Sequence, residues 1–191
     1  MRTPRVLKRL RLSLISRVWP LARLWYRLHG LELGGSPDDE VWYFAFGANM
    51  HDSAFRGRRG MVPFAWRPGR IRGYRLRFNL KGRPLGRAAP ANIAPDLEAE
   101  VCGVLYKITR RAALRLDASE GVPGRRYRPL WHDAEDVDGN QITPAFTYIA
   151  DGMPTDAKPS LRYLTLLRDG ARAHGLPEPW LRFLDGLQHA E

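Results

Sequence analysis

Two acidic side chains in the second half of the chain are the strongest candidates for chemistry. The segment LDASEGV places Asp117 and Glu120 three positions apart, and Gly121 follows where a helix should end. Apolar neighbours and the negative end of a helix both disfavour the charged form of a carboxylate. A carboxylic acid tuned toward neutrality can serve as a general base. The alternative is an ordinary solvated acid at a helix end, and the local residues leave both interpretations open.

The second candidate is the segment YFAFGANM at residues 43–50. Its apolar first half predicts a buried strand, and the small or polar residues Gly47, Ala48 and Asn49 follow it. Glycine allows backbone N–H groups to approach a ligand closely. The segment is therefore either a ligand-binding loop or simply a strand that reaches its turn.

Several familiar kinds of site find no support in the sequence. It contains no G-x-S-x-G elbow, no P-loop and no G-x-G-x-x-G. The five histidines are not paired at helical spacings, so we expect no metal site. The only cysteine, Cys102, lies within a predicted strand and is interpreted as a small buried residue. A chain that cannot form an internal disulfide fits a reducing, cytoplasmic compartment.

The elements that must position the candidate residues are mostly strands. Predicted strands cover residues 41–46, 74–80, 88–94 and 101–108, and two more flank the turn at Asp138-Gly139. Residues 51–70 are predicted to be mostly loop. Thr109 and Gly121 predict the two ends of a helix over 110–120, and further helices follow Pro159 and Pro177. About six strands with few helices between them predict an α+β fold, a small mixed barrel or sheet flanked by helices.

Most of the positive charge belongs to an N-terminal arm. Residues 1–30 contain eight basic and no acidic residues, so the other 161 residues carry a net charge of 11 − 8 = +3. This small charge on the rest of the chain does not favour nucleic acid as a partner. Apolar residues recur there at spacings of three or four, which predicts an amphipathic helix kinked at Pro20. These residues are Leu7, Leu10, Leu14, Val18, Leu21, Leu24 and Leu28.

Three interpretations of the arm remain open. It is a helix on an anionic membrane surface with Trp19, Trp25 and Tyr26 at the interface, a helix packed on the core with solvated arginines, or a transit peptide. Arginines interrupt every apolar run, so no membrane-spanning segment is expected. Because LGGSPDDE (33–40) has the composition of a linker, we divide the chain into an arm over 1–39 and a domain over 40–191.

The motifs YFAFGANM, LDASEGV, AFTYIA and PSLRYLTLLRDGARAHGLP, in this order over residues 41–180, resemble the gamma-glutamylcyclotransferase family. The resemblance implies a small mixed β-barrel with helices around it and a reaction without cofactor or metal. In that reaction, the α-amine of a γ-glutamyl group attacks its own γ-carbonyl and releases 5-oxoproline and an amine or amino acid. This is a lyase or acyltransferase activity of glutathione metabolism on small γ-glutamyl substrates. We also expect a homodimer.

The resemblance carries roles to individual residues. The catalytic glutamate falls on Glu120, which would take a proton from the α-ammonium group and give one to the leaving nitrogen. Tyr163 falls on a substrate-contacting position and Tyr148 on one near the pocket, whereas Tyr127 and Asn92 are expected to have mainly structural roles. The substrate loop falls on Tyr43, Phe44, Ala45, Phe46, Gly47, Ala48 and Asn49.

The chain also departs from the family. Where the family commonly has Tyr-Gly-Ser-Asn, this chain has Phe46-Gly47-Ala48-Asn49 and so lacks two hydroxyls. If those hydroxyls bind substrate, simple γ-glutamyl compounds should bind weakly; if backbone N–H groups do so, little changes. Three functions remain open: a cyclotransferase for small compounds, one for a γ-glutamyl group on a larger or lipid-linked carrier, and a non-catalytic membrane-associated module.

Overall fold

The protein folds into a closed β-barrel with helices packed around it. The computed structural model describes residues 19–28, 34–82 and 89–190. Within these residues five strands form the barrel in the order β1-β3-β2-β4-β5. The barrel closes where β1 pairs with β5 in parallel, while every other pair is antiparallel. The strands are β1 (Glu40–Ala45), β2 (Ala65–Arg77), β3 (Asn92–Thr109), β4 (Arg128–Asp136) and β5 (Gln141–Ile149).

The mixed α+β barrel predicted from the sequence is confirmed, but with five strands where about six were expected. The predicted strand at 101–108 and the end of the one at 88–94, from Asn92 onward, belong to one 18-residue strand, β3, and residue 88 lies outside the described residues. The polar run between them, PDLEAE, has the composition of a loop. It is continuous with the strand because β2 pairs on both sides of it, Tyr74 with Pro95 and Arg72 with Glu100, and an ion pair joins Arg75 to Asp96 at 3.7 Å.

Strand β2 begins earlier than the sequence suggested. Ala65 already pairs with Lys107, so the Gly- and Arg-rich end of the predicted loop is strand. The register between β2 and β3 shifts at Gly73, which has φ = 78° and so adopts a backbone conformation that suits glycine. Gly103 in β3 allows β1 to approach closely, because a Cβ there would collide with the Ala45 carbonyl oxygen and the Phe44 ring.

Four α-helices among the described residues surround the barrel. The predicted caps of α2 are confirmed: Thr109 Oγ1 accepts the Ala112 N–H at 3.1 Å, and Gly121 ends the helix at φ = 76°. Ser160 caps α3 in the same way. The helices are α1 (Trp19–Leu28), α2 (Arg110–Glu120), α3 (Leu161–Ala173) and α4 (Glu178–Asp185).

The helix α1 is the described part of the N-terminal arm. Pro20 lies in its first turn, and the predictions for Leu7, Leu10, Leu14 and Val18 concern residues outside the described ranges. The helix packs against the protein through Ala22 and Tyr26, which are buried beside Leu114. Tyr26, which the membrane interpretation placed at an interface, is only 5% exposed, so this assignment was wrong. None of the helices described here is long and apolar enough to cross a membrane.

Candidate active site

The end of α2 presents the two acidic residues singled out in the sequence. Asp117 is buried, and Glu120, the last residue of the helix, is half-buried. Gly121 then reverses the chain with its N–H bonded to the Ala118 carbonyl oxygen at 3.3 Å. Leu116 and Val122 on either side are in the core. The helix end is therefore anchored on both sides, and the position of the Glu120 carboxylate is fixed by the fold.

The segment YFAFGANM ends in a tight turn that faces this acid. Strand β1 stops at Ala45, and a 3-10 turn over Ala48–Met50 follows, closed by the Met50 N–H on the Gly47 carbonyl oxygen at 2.9 Å. The Asn49 amide Nδ2 donates to the Tyr43 hydroxyl at 2.8 Å and contacts Glu120 Oε1 at 3.3 Å. Two segments 71 positions apart thus meet at one carboxylate.

Arg59 completes this contact and was not foreseen from the sequence. Its Nη2 lies 2.6 Å from Glu120 Oε1, and its Nε donates to Asn49 Oδ1 at 2.6 Å. Its Nη1 also donates to the Ser119 hydroxyl. Arg59 follows a short π-helical segment, Ser53–Arg58, within the region predicted as loop. Arg56, Arg58 and Arg59 are indistinguishable by composition, and only the fold turns one of them toward the acid.

The charge of Glu120 acts on two tyrosines, the buried Tyr127 and the half-buried Tyr163. The Tyr163 hydroxyl accepts the Ala91 N–H at 3.1 Å and also receives the backbone N–H of Ala48, so it joins the loop to the start of β3. Burial raises the pKa of Tyr163 and of Tyr127, and the charge of Glu120 adds to both shifts. Both phenols therefore keep their protons at neutral pH.

Tyr148 reaches the other acid of α2. Its hydroxyl donates to Asp117 Oδ1 at 2.5 Å, and its ring packs against Tyr43 with centroids 5.8 Å apart. The Tyr26 hydroxyl donates to Asp117 Oδ2, also at 2.5 Å. Burial raises the pKa of Asp117, although these two hydrogen bonds partly oppose the shift. The acid that the fold desolvates most is thus Asp117, three residues before the predicted base.

The remaining predicted residues have packing roles. Phe44 and Ala45 are buried in the barrel, and Phe46 packs on Phe44 with ring centroids 6.5 Å apart. Any contact of these three residues with a substrate would have to use their backbone. Asn92 ties β3 to the end of β5, donating to the Ala150 carbonyl oxygen at 2.9 Å and accepting its N–H at 3.1 Å.

The described residues around Glu120 do not form a metal site. No cluster of three or more His, Cys, Asp or Glu side chains suited to a metal ion occurs in the described ranges. Burial raises the pKa of the Cys102 thiol to about 12, which keeps it a thiol at neutral pH. The arrangement around Glu120 thus offers a carboxylate, a guanidinium, an amide and phenolic hydroxyls, a set suited to proton transfer and charge stabilisation.

Comparisons with known proteins point to one family. The AIG2-like family matches residues 100–184, which include the end of α2. The chain is 28% identical over 166 residues to a gamma-glutamyl cyclotransferase of Aspergillus oryzae, covering 75% of this chain and 60% of that protein. It is 25% identical over 163 residues to the gamma-glutamylcyclotransferase of Bos taurus, covering 82% and 84% of the two chains. The chain thus spans well under the full length of the fungal relative.

Solved structures agree with the fold. A structure named gamma-glutamyl cyclotransferase superposes with a TM-score of 0.72 at 22% identity, covering 80% of this chain and 90% of the other. YkqA from Bacillus subtilis superposes with a TM-score of 0.67 at 24% identity over 80% and 56% of the two chains. Together with the matched sequences, this likeness shows that the chain is similar to gamma-glutamylcyclotransferases and shares their fold.

Proposed function

We propose that the protein is a gamma-glutamylcyclotransferase that acts on a small γ-glutamyl amide and uses Glu120 as its general base and acid. The observation that carries the proposal is the contact between Glu120 Oε1 and Asn49 at 3.3 Å, which joins the acid to the glycine-containing loop. The names of the sequence relatives support the same reaction. The product would be 5-oxoproline, and the other product an amine or amino acid.

The proposed step needs one carboxylate and a curled substrate. Glu120 accepts a proton from the α-ammonium group, and the freed amine attacks the γ-carbonyl carbon of the same residue. The new C–N bond closes a five-membered lactam, and the original amide C–N bond breaks. The carboxylic acid protonates the leaving nitrogen, and the lactam nitrogen gives up its extra proton. Hydrogens balance, because the lactam keeps one on nitrogen and the released ammonium carries three.

The fold contributes position and charge rather than a reactive cofactor. Because nucleophile and electrophile belong to one molecule, holding it curled can supply several kcal/mol of the barrier reduction, about 7–11 in well-oriented cases. Arg59 and Asn49 hold the carboxylate in place. The backbone N–H groups of Gly47 and Asn49 are the proposed donors to the developing oxyanion. The phenols of Tyr127 and Tyr163 are neutral groups on which the Glu120 charge acts.

A mass-spectrometric screen tests the reaction. Purified protein is incubated with γ-glutamyl amino acids, γ-glutamyl amines and glutathione, and 5-oxoproline is quantified against a no-enzyme blank. We expect release from at least one compound. Release from none of them would overturn the proposal.

The difference between this loop and the common family sequence affects which substrates we expect to bind. Ala48 stands where the family commonly has serine, and its backbone N–H is already engaged by Tyr163. If the missing hydroxyl limits affinity, Ala48→Ser lowers KM for a simple γ-glutamyl amino acid with little change in kcat. An unchanged KM would indicate that backbone donors alone hold the substrate.

A second candidate function follows from the outer face of α1. Ala22 and Tyr26 face the protein, whereas an apolar stripe faces away from it on the opposite side of the helix. A contiguous exposed leucine stripe is uncommon on a monomeric surface and marks an interaction site. The stripe consists of Leu21, Leu24 and Leu28, which are 62%, 53% and 74% exposed.

The charge beside the stripe favours an anionic membrane as its partner. Arg23 and Arg27 are exposed on the same helix, and residues 1–30 contain no acid. Basic residues near an anionic cytoplasmic leaflet gain about 1 kcal/mol each. We propose that α1 lies on such a surface and brings the enzyme to a γ-glutamyl group on a lipid-linked or other large carrier.

Vesicle co-sedimentation tests this second candidate. Deleting residues 1–39 would be ambiguous because it also removes Tyr26 from Asp117, so the outer leucines Leu21, Leu24 and Leu28 are changed together to glutamine. We expect the wild type to bind phosphatidylcholine vesicles only when they contain phosphatidylserine, and the variant to stay in solution. Equal binding by both proteins would overturn the proposal. Self-association of the wild type without vesicles, lost in the variant, would assign the stripe to a second copy instead.

A further inference from the structure

One side chain of the N-terminal arm reaches the helix that carries the proposed base. Tyr26 of α1 is buried against α2 and donates its hydroxyl hydrogen to Asp117 Oδ2 at 2.5 Å. Tyr148 of the barrel donates to Oδ1 of the same carboxylate, also at 2.5 Å. Asp117 is therefore held by one donor from the arm and one from the barrel. The family match begins only at residue 100, so Tyr26 lies outside it.

The Asp117 carboxylate depends on both donors. Its residue is only 8% exposed, and a buried charge is costly unless hydrogen bonds compensate for it. Removing one donor would leave a buried oxygen unsatisfied, so the helix end would have to move to find water or another donor. Asp117 and Glu120 lie three residues apart in the last turn of α2, where side chains share a face. A movement of Asp117 therefore displaces Glu120.

A second line of contacts joins the same groups. The Tyr148 ring packs on Tyr43, whose hydroxyl accepts the Asn49 amide at 2.8 Å. Asn49 in turn lies 3.3 Å from Glu120 Oε1. The Asp117 carboxylate is thus linked to the Glu120 carboxylate both along the helix and through the loop.

We propose that Tyr26 is a positioning residue for the cyclisation: it holds Asp117 so that the last turn of α2 keeps Glu120 in place, and α1 is thereby part of the catalytic unit. The inference rests on the role proposed above for Glu120. Tyr26 takes no part in proton transfer, because burial raises its pKa well above neutrality, helped by the Asp117 charge.

The test compares Tyr26→Phe with a control that loses a tyrosine hydroxyl elsewhere. Tyr74→Phe serves, since Tyr74 lies in β2 with its ring against His132, away from Glu120. For Tyr26→Phe we expect kcat to fall by about tenfold, the equivalent of about 1.4 kcal/mol, with KM changed by less than about twofold. The control keeps wild-type kinetics.

A pH profile separates positioning from a purely structural role. The titratable groups that act on Asp117 are Tyr26, Tyr148 and Glu120, and the Tyr26 hydrogen bond lowers the Asp117 pKa. Its loss raises that pKa, so Asp117 becomes protonated at a higher pH. We expect the acidic limb of kcat to move to higher pH in Tyr26→Phe and not in Tyr74→Phe.

Amide hydrogen exchange gives a readout that does not need turnover. We expect faster exchange over residues 116–121 in Tyr26→Phe than in wild type or Tyr74→Phe. If the wild type turns over substrate and Tyr26→Phe retains its kcat and pH profile, the inference is overturned and the proposed function stands. If the wild type releases no 5-oxoproline, the proposed function fails. If amide exchange over residues 116–121 is also unchanged in Tyr26→Phe, the inference that Tyr26 positions the end of α2 is overturned as well.

Discussion

Replacement of Gly170 by alanine should lower catalytic activity strongly and the stability of the protein only slightly. Gly170 lies in α3 and is buried against the turn that carries Asn49. A Cβ at this position would lie 2.7 Å from the Met50 carbonyl carbon and 2.8 Å from the His51 nitrogen. Both are backbone atoms, so no side-chain rotation can relieve the contact in Gly170→Ala. Either α3 or the turn must move.

The size of the movement follows from the contact distance. Ordinary van der Waals separation is about 3.5 Å, so the gap must widen by about 0.8 Å. The Asn49 to Glu120 contact is already 3.3 Å long, and a hydrogen bond is largely lost beyond about 3.5 Å. A misplacement of about 1 Å in a catalytic site can cost about 100-fold in rate. We therefore expect kcat/KM to fall by about 10- to 100-fold.

The stability effect should be smaller, because two contributions oppose each other. Overpacking costs about 1–3 kcal/mol, whereas replacing a helical glycine by alanine gains about 1 kcal/mol. The net loss in free energy of unfolding is thus at most about 2 kcal/mol, measurable by urea denaturation. Gly186→Ala at the end of α4, where a Cβ would meet only ordinary contacts of 3.6 Å, is the control. Wild-type kcat/KM in Gly170→Ala would refute the proposed role of the Asn49 turn.

Three further predictions concern the groups around the helix end. Because burial raises the folded-state pKa of Asp117 above 3.8, its contribution to stability is full below that value and is lost as pH rises through the folded pKa. When the free energy of unfolding is measured in urea at several pH values, that of Asp117→Asn should decrease less with rising pH than that of the wild type. Parallel pH dependences of the two proteins would contradict this prediction. Tyr163→Phe leaves the Ala91 N–H without its acceptor and should lower the unfolding free energy by about 1 kcal/mol or more, whereas an unchanged urea midpoint would not fit. Arg59→Lys cannot reproduce the three contacts that the guanidinium group makes with Glu120, Asn49 and Ser119, and it should lower kcat/KM by about tenfold in steady-state assays; equal activity would argue against this role of Arg59.

Local sequence predicted those parts of the fold that depend on local physics. The caps of α2 at Thr109 and Gly121 and the turn at Asp138-Gly139 follow from residues within a few positions, and the structure has them. The single strand β3 could not be predicted from local sequence, because its two halves are joined across a polar run only by the pairing of β2 on both sides of that run.

The same distinction applies to the site. Glu120 and the Gly47 loop carry local signals, so both could be named in advance as candidates. Arg59 and Tyr26 carry none, because an arginine among arginines and a tyrosine in an amphipathic helix become partners of α2 only through the tertiary fold. Their contacts join positions 61 and 91 residues apart along the chain.

The most direct test of the account replaces the proposed base itself. Glu120→Gln keeps the size of the side chain but cannot accept the proton, and general base catalysis contributes about 100- to 10,000-fold. With the γ-glutamyl compound that the wild type turns over, we expect 5-oxoproline release to fall at least about 100-fold, with an unchanged circular dichroism spectrum. Glu98→Gln, at an exposed position of β3, should retain wild-type activity. Release by Glu120→Gln within about threefold of wild type would contradict the role of Glu120.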